Sequence, residues 1–399
     1  MRTLIKHGLI VDGNKTPAYE GDILIENEKI LKISQDLNEE ADKVIDAKGR
    51  VICPGFIDTH SHSDLVILVN PYNEVKIRQG ITTEVLGQDG ISMAPLPQEH
   101  ISSWRKNLAG LDGESDEIDW KYETTENYLK MMDYNGVGLN ETYLVPHGNV
   151  RMEAMGLEDR PATKEEIQKM CEITERELKA GAIGLSTGLI YIPCAYSLTE
   201  EIIEMCKVVA KYDGVFVVHQ RSEADTILTS MEEIIEIGKM RGKDPLDATF
   251  DLLKEEENAV GMVDFYGLEE HIIGFMKRDE QNVCTDGLLA GKPHPRAYGS
   301  FPKILGRYVR ELNVLTIEEA VYKMTKKAAR SFSIKDRGEL KEGYFADIVI
   351  FDKDTVSGCD DFINSMQYPT GIDYVIINGN CVVEEGKYNK IKAGKVLKN

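Results

Sequence analysis

The sequence predicts an α/β fold in which a parallel (β/α)-barrel lies between two β-rich chain ends. In the centre of the chain, short apolar segments alternate with longer amphipathic ones, a pattern typical of a parallel sheet with crossover helices. Both ends instead hold short alternating runs bounded by glycine, asparagine and aspartate. A chain of 399 residues is long enough for a barrel and a smaller companion domain.

The two chain ends are predicted to form hairpins. The N-terminal end contains alternating runs at residues 21–25 and 29–33, and the C-terminal end contains them at 346–351 and 374–383. Within the last run, the dipeptide Asn378-Gly379 is a strong signal for a two-residue turn. We expect both ends to join in one small sheet domain, with residues 1–54 and 340–399 flanking a barrel domain of residues 55–339.

The central part of the chain supplies the barrel elements. Six segments are predicted strands: 51–57, 82–86, 142–146, 183–186, 215–218 and 282–285. Predicted helices lie between or after them, including 164–180, 200–212 and 317–331. Residues 260–266 form a weaker seventh strand candidate. Since a full barrel needs eight strands, the sequence predicts an incomplete one.

Composition and charge limit the classes of partner and the cellular location that the sequence predicts. Lys and Arg number 47 against 68 Asp and Glu, a formal net charge of −21, so nucleic acid and anionic membranes are not expected partners. The N-terminus lacks an apolar signal core, and no run approaches the roughly 18 apolar residues that span a bilayer. Seven cysteines form no CxxC pair, which indicates reduced thiols. We therefore expect a cytoplasmic protein.

The sharpest motif is a pair of histidines that follows the first predicted barrel strand. In Asp58-Thr59-His60-Ser61-His62, the two histidines are two residues apart, so in extended chain both side chains point the same way. Both imidazoles can then bind one metal ion at about 2.0–2.1 Å. Barrel active sites lie at the C-terminal ends of strands, where this pair falls. The alternative is two ordinary surface histidines.

A second apolar strand also ends in histidine. His219 follows residues 215–218, and beside the first motif it is a candidate metal ligand rather than a core histidine. Arg221 and Glu223 share one face beyond it and are candidates to orient the ligand or the substrate.

Asp286 ends the predicted strand 282–285 and is the candidate catalytic base. A carboxylate beside a metal-bound water can accept its proton and pass it to a leaving group. Because Gly287 follows, the alternative is a turn or helix-cap residue. Ten residues later, Arg296 is a candidate clamp for a substrate carboxylate, since its planar fork matches that group; a surface ion pair is the alternative.

Two further candidates end other strands. Asp89 follows the second predicted strand and is a ligand, a bridging group or simply a turn residue. Tyr191 follows the glycine-rich segment 184–188 and lies where it can touch a ligand.

The chain resembles the amidohydrolase superfamily and, within it, the N-acyl-D-amino-acid deacylase (D-aminoacylase) family. The resemblance implies a (β/α)8-type metallo-barrel with a β-sandwich built from both termini, one or two zinc ions, and hydrolysis of the amide between an acyl group and a D-amino acid. The matching stretches cover nearly the whole chain: 54–62, 80–95, 144–151, 181–196, 219–223, 286–307 and 343–349.

The resemblance also assigns roles. His60, His62 and His219 match metal ligands, Asp286 matches the catalytic aspartate, and Arg296 and Tyr191 match substrate contacts. It implies that metal-activated water attacks the amide carbonyl while the aspartate moves the proton to the leaving amine.

Two departures from the family pattern stand out. Well-known members carry a cysteine ligand after the second strand, whereas this chain has Asp89, which also places the identity of the metal in question. In addition, a block that carries the sixth strand and another metal histidine is expected to be absent near residues 240/241.

Two alternative functions follow. Cyclic-amide hydrolases of the dihydroorotase or hydantoinase kind use a carboxylated lysine after the fourth strand, but residues 182–200 contain no lysine. A relative that kept the scaffold and lost part of the site is the other alternative. The expected partner is a small N-acyl amino acid, and whether the protein forms a homo-oligomer stays open.

Overall fold

The computed structural model describes residues 1–109, 111–223, 225–240, 268–289, 291–358 and 361–398. The strands are β1 (Arg2–Ile10), β2 (Tyr19–Glu26), β3 (Lys29–Ser34), β4 (Lys43–Asp46), β5 (Val51–Pro54), β6 (Phe56–Asp58), β7 (Ser61–His62), β8 (Ile81–Leu86), β9 (Asn140–Pro146), β10 (Gly184–Gly188), β11 (Val215–His219), β12 (Gly287–Leu288), β13 (Ile348–Phe351), β14 (Ile372–Ile377), β15 (Asn380–Glu384) and β16 (Lys387–Tyr388). The α-helices are Val66–Val69, Glu74–Ile77, Ile101–Leu108, Thr125–Asn135, His147–Met155, Lys164–Lys179, Thr199–Lys211, Ile227–Met240, Glu269–Met276, Arg296–Lys303, Ile317–Met324 and Lys326–Ser331; a π-helix spans Ile304–Glu311, and short 3₁₀ turns occur at Gln88–Gly90, Gln98–His100 and Cys194–Tyr196.

The two ends of the chain share one nine-stranded sheet. Its order is β16-β15-β14-β13-β5-β1-β2-β3, and β4 pairs with β1 off this path. The antiparallel pairing of β13 with β5 joins the C-terminal strands to the N-terminal ones. The dipeptide Asn378-Gly379 forms the turn between β14 and β15 with both residues at positive φ, as its sequence predicts. A sandwich arrangement and the division into domains 1–54 plus 340–399 and 55–339 stay predictions.

The central part of the chain forms a five-stranded parallel sheet. The order β11-β10-β9-β8-β6 follows the chain order, so each strand pairs with its sequence neighbour in the sheet. β6, β8, β9 and β10 are buried along their whole length, including polar residues such as Glu84 in β8 and Glu141 in β9. Burial on both faces is typical of a parallel sheet. The described strands thus form half of a barrel, and closure into eight strands stays a prediction.

Two long helices pack on this sheet. The helix Lys164–Lys179 begins with a capping box in which Thr163 and Glu166 bond each other's backbone amides. The apolar face of this helix and of Thr199–Lys211 packs on the sheet in one core cluster with Val145 and Leu185. Among the described residues, each helix is too short or too polar to cross a bilayer.

The predicted strand 51–57 divides at Gly55. Its first part, β5, belongs to the nine-stranded sheet and its second part, β6, to the parallel sheet. Gly55 lies against Thr82, where a Cβ atom would approach the threonine side chain to 2.2 Å. One apolar run thus serves two sheets, because a glycine lets the chain pass closely over β8 between them.

The predicted strand 282–285 is wrong. These residues lie outside any strand, and the short β12 begins only at Gly287, where it pairs with β7. The amide of Thr285 donates to the Asp58 carboxylate at 2.8 Å instead of to a neighbouring strand. The predicted helix 317–331 is likewise two helices, which meet at Thr325.

Two further sequence predictions fall largely on chain that is not described. The candidate strand 260–266 lies outside the described residues, and the junction near 240/241 lies at their edge.

Candidate metal centre and active site

The histidine pair lies at the C-terminal end of the first parallel strand. His60 follows β6, and His62 belongs to the two-residue strand β7. Both side chains are buried, and their ring centroids are 5.2 Å apart. The structure therefore brings the two imidazoles together as their spacing predicts.

Asp89 reaches the same point from the next strand. β8 ends at Leu86, and the turn that follows holds Gly87, Asp89 and Gly90 at positive φ. Gly87 is required there because a Cβ atom would lie 2.2 Å from the carbonyl oxygen of Leu144. The turn places Oδ2 of Asp89 at 3.4 Å from Nε2 of His60 and 3.3 Å from Nε2 of His62.

Asp286 also lies beside the histidine pair, although it is distant from both histidines in the sequence. Its backbone amide donates to the carbonyl oxygen of His60 at 2.9 Å, and its φ of 45° lies in the left-handed region, which aspartate tolerates. Its Oδ1 lies 3.4 Å from Nε2 of His62 and 3.8 Å from Nε2 of His60.

These distances fit ligands of a common metal ion. Atoms bound at about 2.0–2.1 Å in a tetrahedron lie roughly 3.3 Å from one another, and three of the four measured distances are 3.3–3.4 Å. Oδ1 of Asp286 and Nε2 of His60 are buried and have no hydrogen-bond partner among the described residues. Buried polar atoms of this kind need a partner, and a cation would provide it. His60, His62 and Asp286 also form a group whose ligand atoms all lie within 4.8 Å of one another.

The charges of the cluster favour a cation at its centre. Burial alone would lower the pKa of His62, but the nearby carboxylates of Asp286 and Asp89 outweigh it and raise that pKa well above its ordinary value. Burial would raise the pKa of Asp89, but His60 and His62 lower it well below its ordinary value. The site thus stabilises positive charge, which a metal ion supplies in place of a proton.

His219 lies on the other side of Asp89. Its Nδ1 is 3.9 Å from Oδ1 of Asp89, whereas Oδ2 of the same carboxylate faces the histidine pair. Nε2 of His219 contacts Glu223 at 3.0 Å. The structure therefore places His219 beside the cluster but across the Asp89 carboxylate from His60 and His62.

Tyr191 and Arg296 border the cluster. The Tyr191 ring packs edge-on against His219 with centroids 4.9 Å apart, and its hydroxyl lies 3.4 Å from Nδ1. Arg296 begins a helix, and its Nη2 lies 3.2 Å from Oδ2 of Asp286 with the side chain 20% exposed. A guanidinium beside the proposed base can hold an anionic group of a substrate next to the ion.

Arg221 has a different environment. Its guanidinium forms two bonds of 2.9 Å to Glu233, and it also donates to the carbonyl oxygens of Ala195 and Ser197. These contacts tie the loop after β10 to the helix Ile227–Met240. The structure thus gives Arg221 a role in holding this loop, while a substrate contact stays a prediction.

A family model described as the amidohydrolase family matches residues 43–203 and 273–383, more than half of the sequence. The chain belongs to the amidohydrolase family. This amidohydrolase is 29% identical to a D-aminoacylase from Alcaligenes xylosoxydans xylosoxydans, over 99% of this chain and 97% of that protein.

Two solved structures are similar over their whole length. One is of a D-aminoacylase with a binuclear metal centre, with a TM-score of 0.90, 27% identity, and coverage of 100% of this chain and 99% of that one. The other is the N-acyl-D-glutamate deacylase from Bordetella bronchiseptica bound to zinc and a phosphonate inhibitor that mimics the tetrahedral intermediate. Its TM-score is 0.86, with 27% identity and the same coverage.

The amidohydrolase is shorter than the D-aminoacylase that it resembles. Their alignment spans 476 positions, and subtracting the 399 residues of this chain leaves at least 77 positions of the relative without a counterpart. The family model leaves residues 204–272 unmatched. This interval includes the junction predicted near 240/241, whose exact place stays a prediction.

Sequence reasoning missed two sets of buried polar residues around the amidohydrolase site. Asp112 lies with Oδ1 at 3.8 Å from Nδ1 of His62, and Asp64 belongs to the same group of possible ligands. Burial, reinforced by Asp64, raises the pKa of Asp112 well above its ordinary value. The second set surrounds the buried ammonium group of Lys76, which contacts Asp58. For Asp64, spacing offered a signal, since it continues the alternation of His60 and His62; for Asp112 and Lys76 there was none.

Proposed function

We propose that this amidohydrolase is a metal-dependent deacylase that cleaves the amide bond of N-acyl-D-amino acids, releasing a carboxylate and a D-amino acid. The observation that carries the proposal is the cluster of His60, His62, Asp89 and Asp286, whose ligand atoms are spaced for a shared ion beside the guanidinium of Arg296. The names of its full-length relatives, D-aminoacylase and N-acyl-D-glutamate deacylase, support the substrate class.

The proposed metal is zinc, held by His60, His62, Asp89 and Asp286. Imidazole nitrogen and carboxylate oxygen both bind zinc at the ligand distances considered above. Oδ1 of Asp89 and His219 lie together on the far side of the carboxylate and are the proposed contacts for a second ion. A zinc ion held by these residues would lower the pKa of a bound water and polarise the amide oxygen.

Asp286 is the proposed proton carrier. Its two carboxylate oxygens face different groups, Oδ1 the histidine pair and Oδ2 Arg296, so the carboxylate lies between the ligand cluster and the proposed substrate clamp. It accepts the proton of the attacking water while the water oxygen bonds to the carbonyl carbon. It then returns this proton to the nitrogen as the carbon–nitrogen bond breaks.

Arg296 is the proposed clamp for the α-carboxylate of the substrate. Its charged fork can bind a carboxylate through two parallel bonds, which fixes the direction as well as the place of that group. With the carboxylate held at one point and the amide held at the cluster, the two enantiomers direct their side chains differently. We propose that this arrangement sets the preference for D-amino acids, with Tyr191 bordering the bound substrate.

The test is a measurement of metal content together with an amidase screen on paired N-acetyl-D- and N-acetyl-L-amino acids. We expect at least one zinc per chain and hydrolysis of the D series. Negligible metal uptake and no hydrolysis would favour the alternative of a relative that has lost part of its site. Hydrolysis of cyclic amides alone would favour the hydantoinase-like alternative, although the end of β10 carries no lysine at residues 184–188.

A further inference from the structure

A completely buried ammonium group lies beneath the proposed metal centre. Lys76 belongs to the short helix Glu74–Ile77, and its side chain has no exposed surface. Lysine is almost never fully buried unless it is paired, and here the pairing is extensive. Nζ donates to Oδ2 of Asp58 at 2.6 Å, to the hydroxyl of Ser61 at 2.8 Å and to the hydroxyl of Thr285 at 2.6 Å.

These three partners are sequence neighbours of the proposed metal ligands. Asp58 precedes His60 by two residues, and Ser61 lies between His60 and His62. Thr285 directly precedes Asp286. One ammonium group therefore joins the two distant chain segments that carry the ligands, at the residues next to those ligands.

The contacts among the partners close the network. Thr285 donates its hydroxyl to Oδ2 of Asp58 at 2.6 Å and its backbone amide to Oδ1 at 2.8 Å. Its hydroxyl oxygen also accepts from the amide of Gly287 at 3.1 Å. Ser61 donates to the buried carboxylate of Glu84 at 2.6 Å, and that carboxylate lies 3.4 Å from Nζ of Lys76. The ammonium group thus supplies positive charge to the buried carboxylates of Asp58 and Glu84, and Ser63 and Asn73 also donate to Glu84 at 3.0 and 2.8 Å.

We propose that Lys76 is a positioning residue of the metal centre, which sets the approach of Asp286 to His60 and His62 by holding Asp58, Ser61 and Thr285 together. The inference rests on the proposed function. Ligands need positions accurate to about 0.5 Å, and groups behind the ligands supply that accuracy. Without the ammonium group, two carboxylates in a buried site lose their shared cation and the two chain segments lose their common contact.

The test compares Lys76→Met, which keeps the length of the side chain and removes its charge, with Lys323→Met. Lys323 is a matched control, because it is also buried and its ammonium contacts the carbonyl oxygen of Arg278. We expect Lys76→Met to bind zinc 10–100-fold more weakly in chelator competition, a loss typical for groups that support metal ligands. The visible spectrum of the cobalt-substituted protein should change, and kcat at saturating metal should fall more than KM rises. The control should keep native affinity and spectrum.

A second pair of variants decides the matter if Lys76→Met does not fold. Thr285→Ser keeps the hydroxyl that accepts from Lys76 and donates to Asp58, whereas Thr285→Val removes it at similar volume. We expect Thr285→Ser to retain native zinc affinity and the native cobalt spectrum, and Thr285→Val to lose them. Native affinity and spectrum in Lys76→Met, or in Thr285→Val where Lys76→Met is unfolded, would overturn the inference. Because these readouts need no substrate, a protein that binds zinc but hydrolyses no N-acyl-D-amino acid would refute the proposed function alone.

Discussion

Replacing Asp286 by asparagine should abolish most of the hydrolysis while leaving the fold intact. Asparagine tolerates the φ of 45° found at this position. Its backbone amide can still donate a hydrogen bond to the carbonyl oxygen of His60. The change therefore confines itself to the carboxylate that faces His62 at 3.4 Å and Arg296 at 3.2 Å. A side-chain amide cannot accept and return a proton at neutral pH, so the variant should lose the 10²–10⁴-fold typical of general acid–base catalysis. This loss corresponds to about 3–5 kcal/mol of activation free energy.

The assay is steady-state hydrolysis of an N-acetyl-D-amino acid, with zinc content measured on the same samples. Asp213→Asn is the matched control, because this aspartate is exposed and has a φ of 50°. The control should keep native rates. An Asp286→Asn protein with native zinc content and a kcat within tenfold of the native value would refute the assigned proton transfer.

Three further predictions follow from the same site. Arg296→Gln should raise KM for an N-acyl-D-amino acid about 10–100-fold, since a charge-assisted hydrogen bond is worth about 1.5–3 kcal/mol. An equal rise in KM for an N-acyl amine without a carboxylate would contradict the proposed contact between Arg296 and the substrate carboxylate. Removing the metal with a chelator should lower both Tm and activity, and adding zinc should restore both. The reason is that an ion bound only to the native state stabilises that state. Unchanged Tm and activity would refute a metal centre. His294 is exposed as a whole residue, but partial desolvation of its ring and the nearby Arg296 lower its pKa to about 4. Its contribution to stability is therefore full above pH 6.5 and is lost as the pH falls towards 4. An NMR titration giving a pKa near 6.5 would contradict this.

The sequence was informative wherever local geometry decides the outcome. The pair His60 and His62 could be predicted because residues two apart in extended chain point the same way. The turn at Asn378-Gly379 could be predicted because few dipeptides adopt its backbone conformation. In both cases the information lies within a few neighbouring residues.

The sequence was misleading where a distant side chain replaces a strand partner. Residues 282–285 have the composition of a strand, but the amide of Thr285 donates to the carboxylate of Asp58 instead of to a neighbouring strand. The burial of Lys76 could not be predicted from the sequence for a related reason. A lysine in a short helix indicates a solvated surface until the carboxylates that neutralise it are known.

The role of Asp89 could not be predicted from the sequence, because it depends on the direction of each carboxylate oxygen. A single aspartate after a strand is equally suited to be a ligand, a bridge or a turn residue, because its role depends on where each oxygen points. In the structure, Oδ2 faces His60 and His62 at 3.3–3.4 Å, while Oδ1 faces His219 at 3.9 Å. A thiolate offers one sulfur atom to both sides, whereas a carboxylate offers a separate oxygen to each. With aspartate in place of the cysteine of well-known family members, a separate oxygen would face each group of histidines, and each oxygen would be a harder ligand than sulfur.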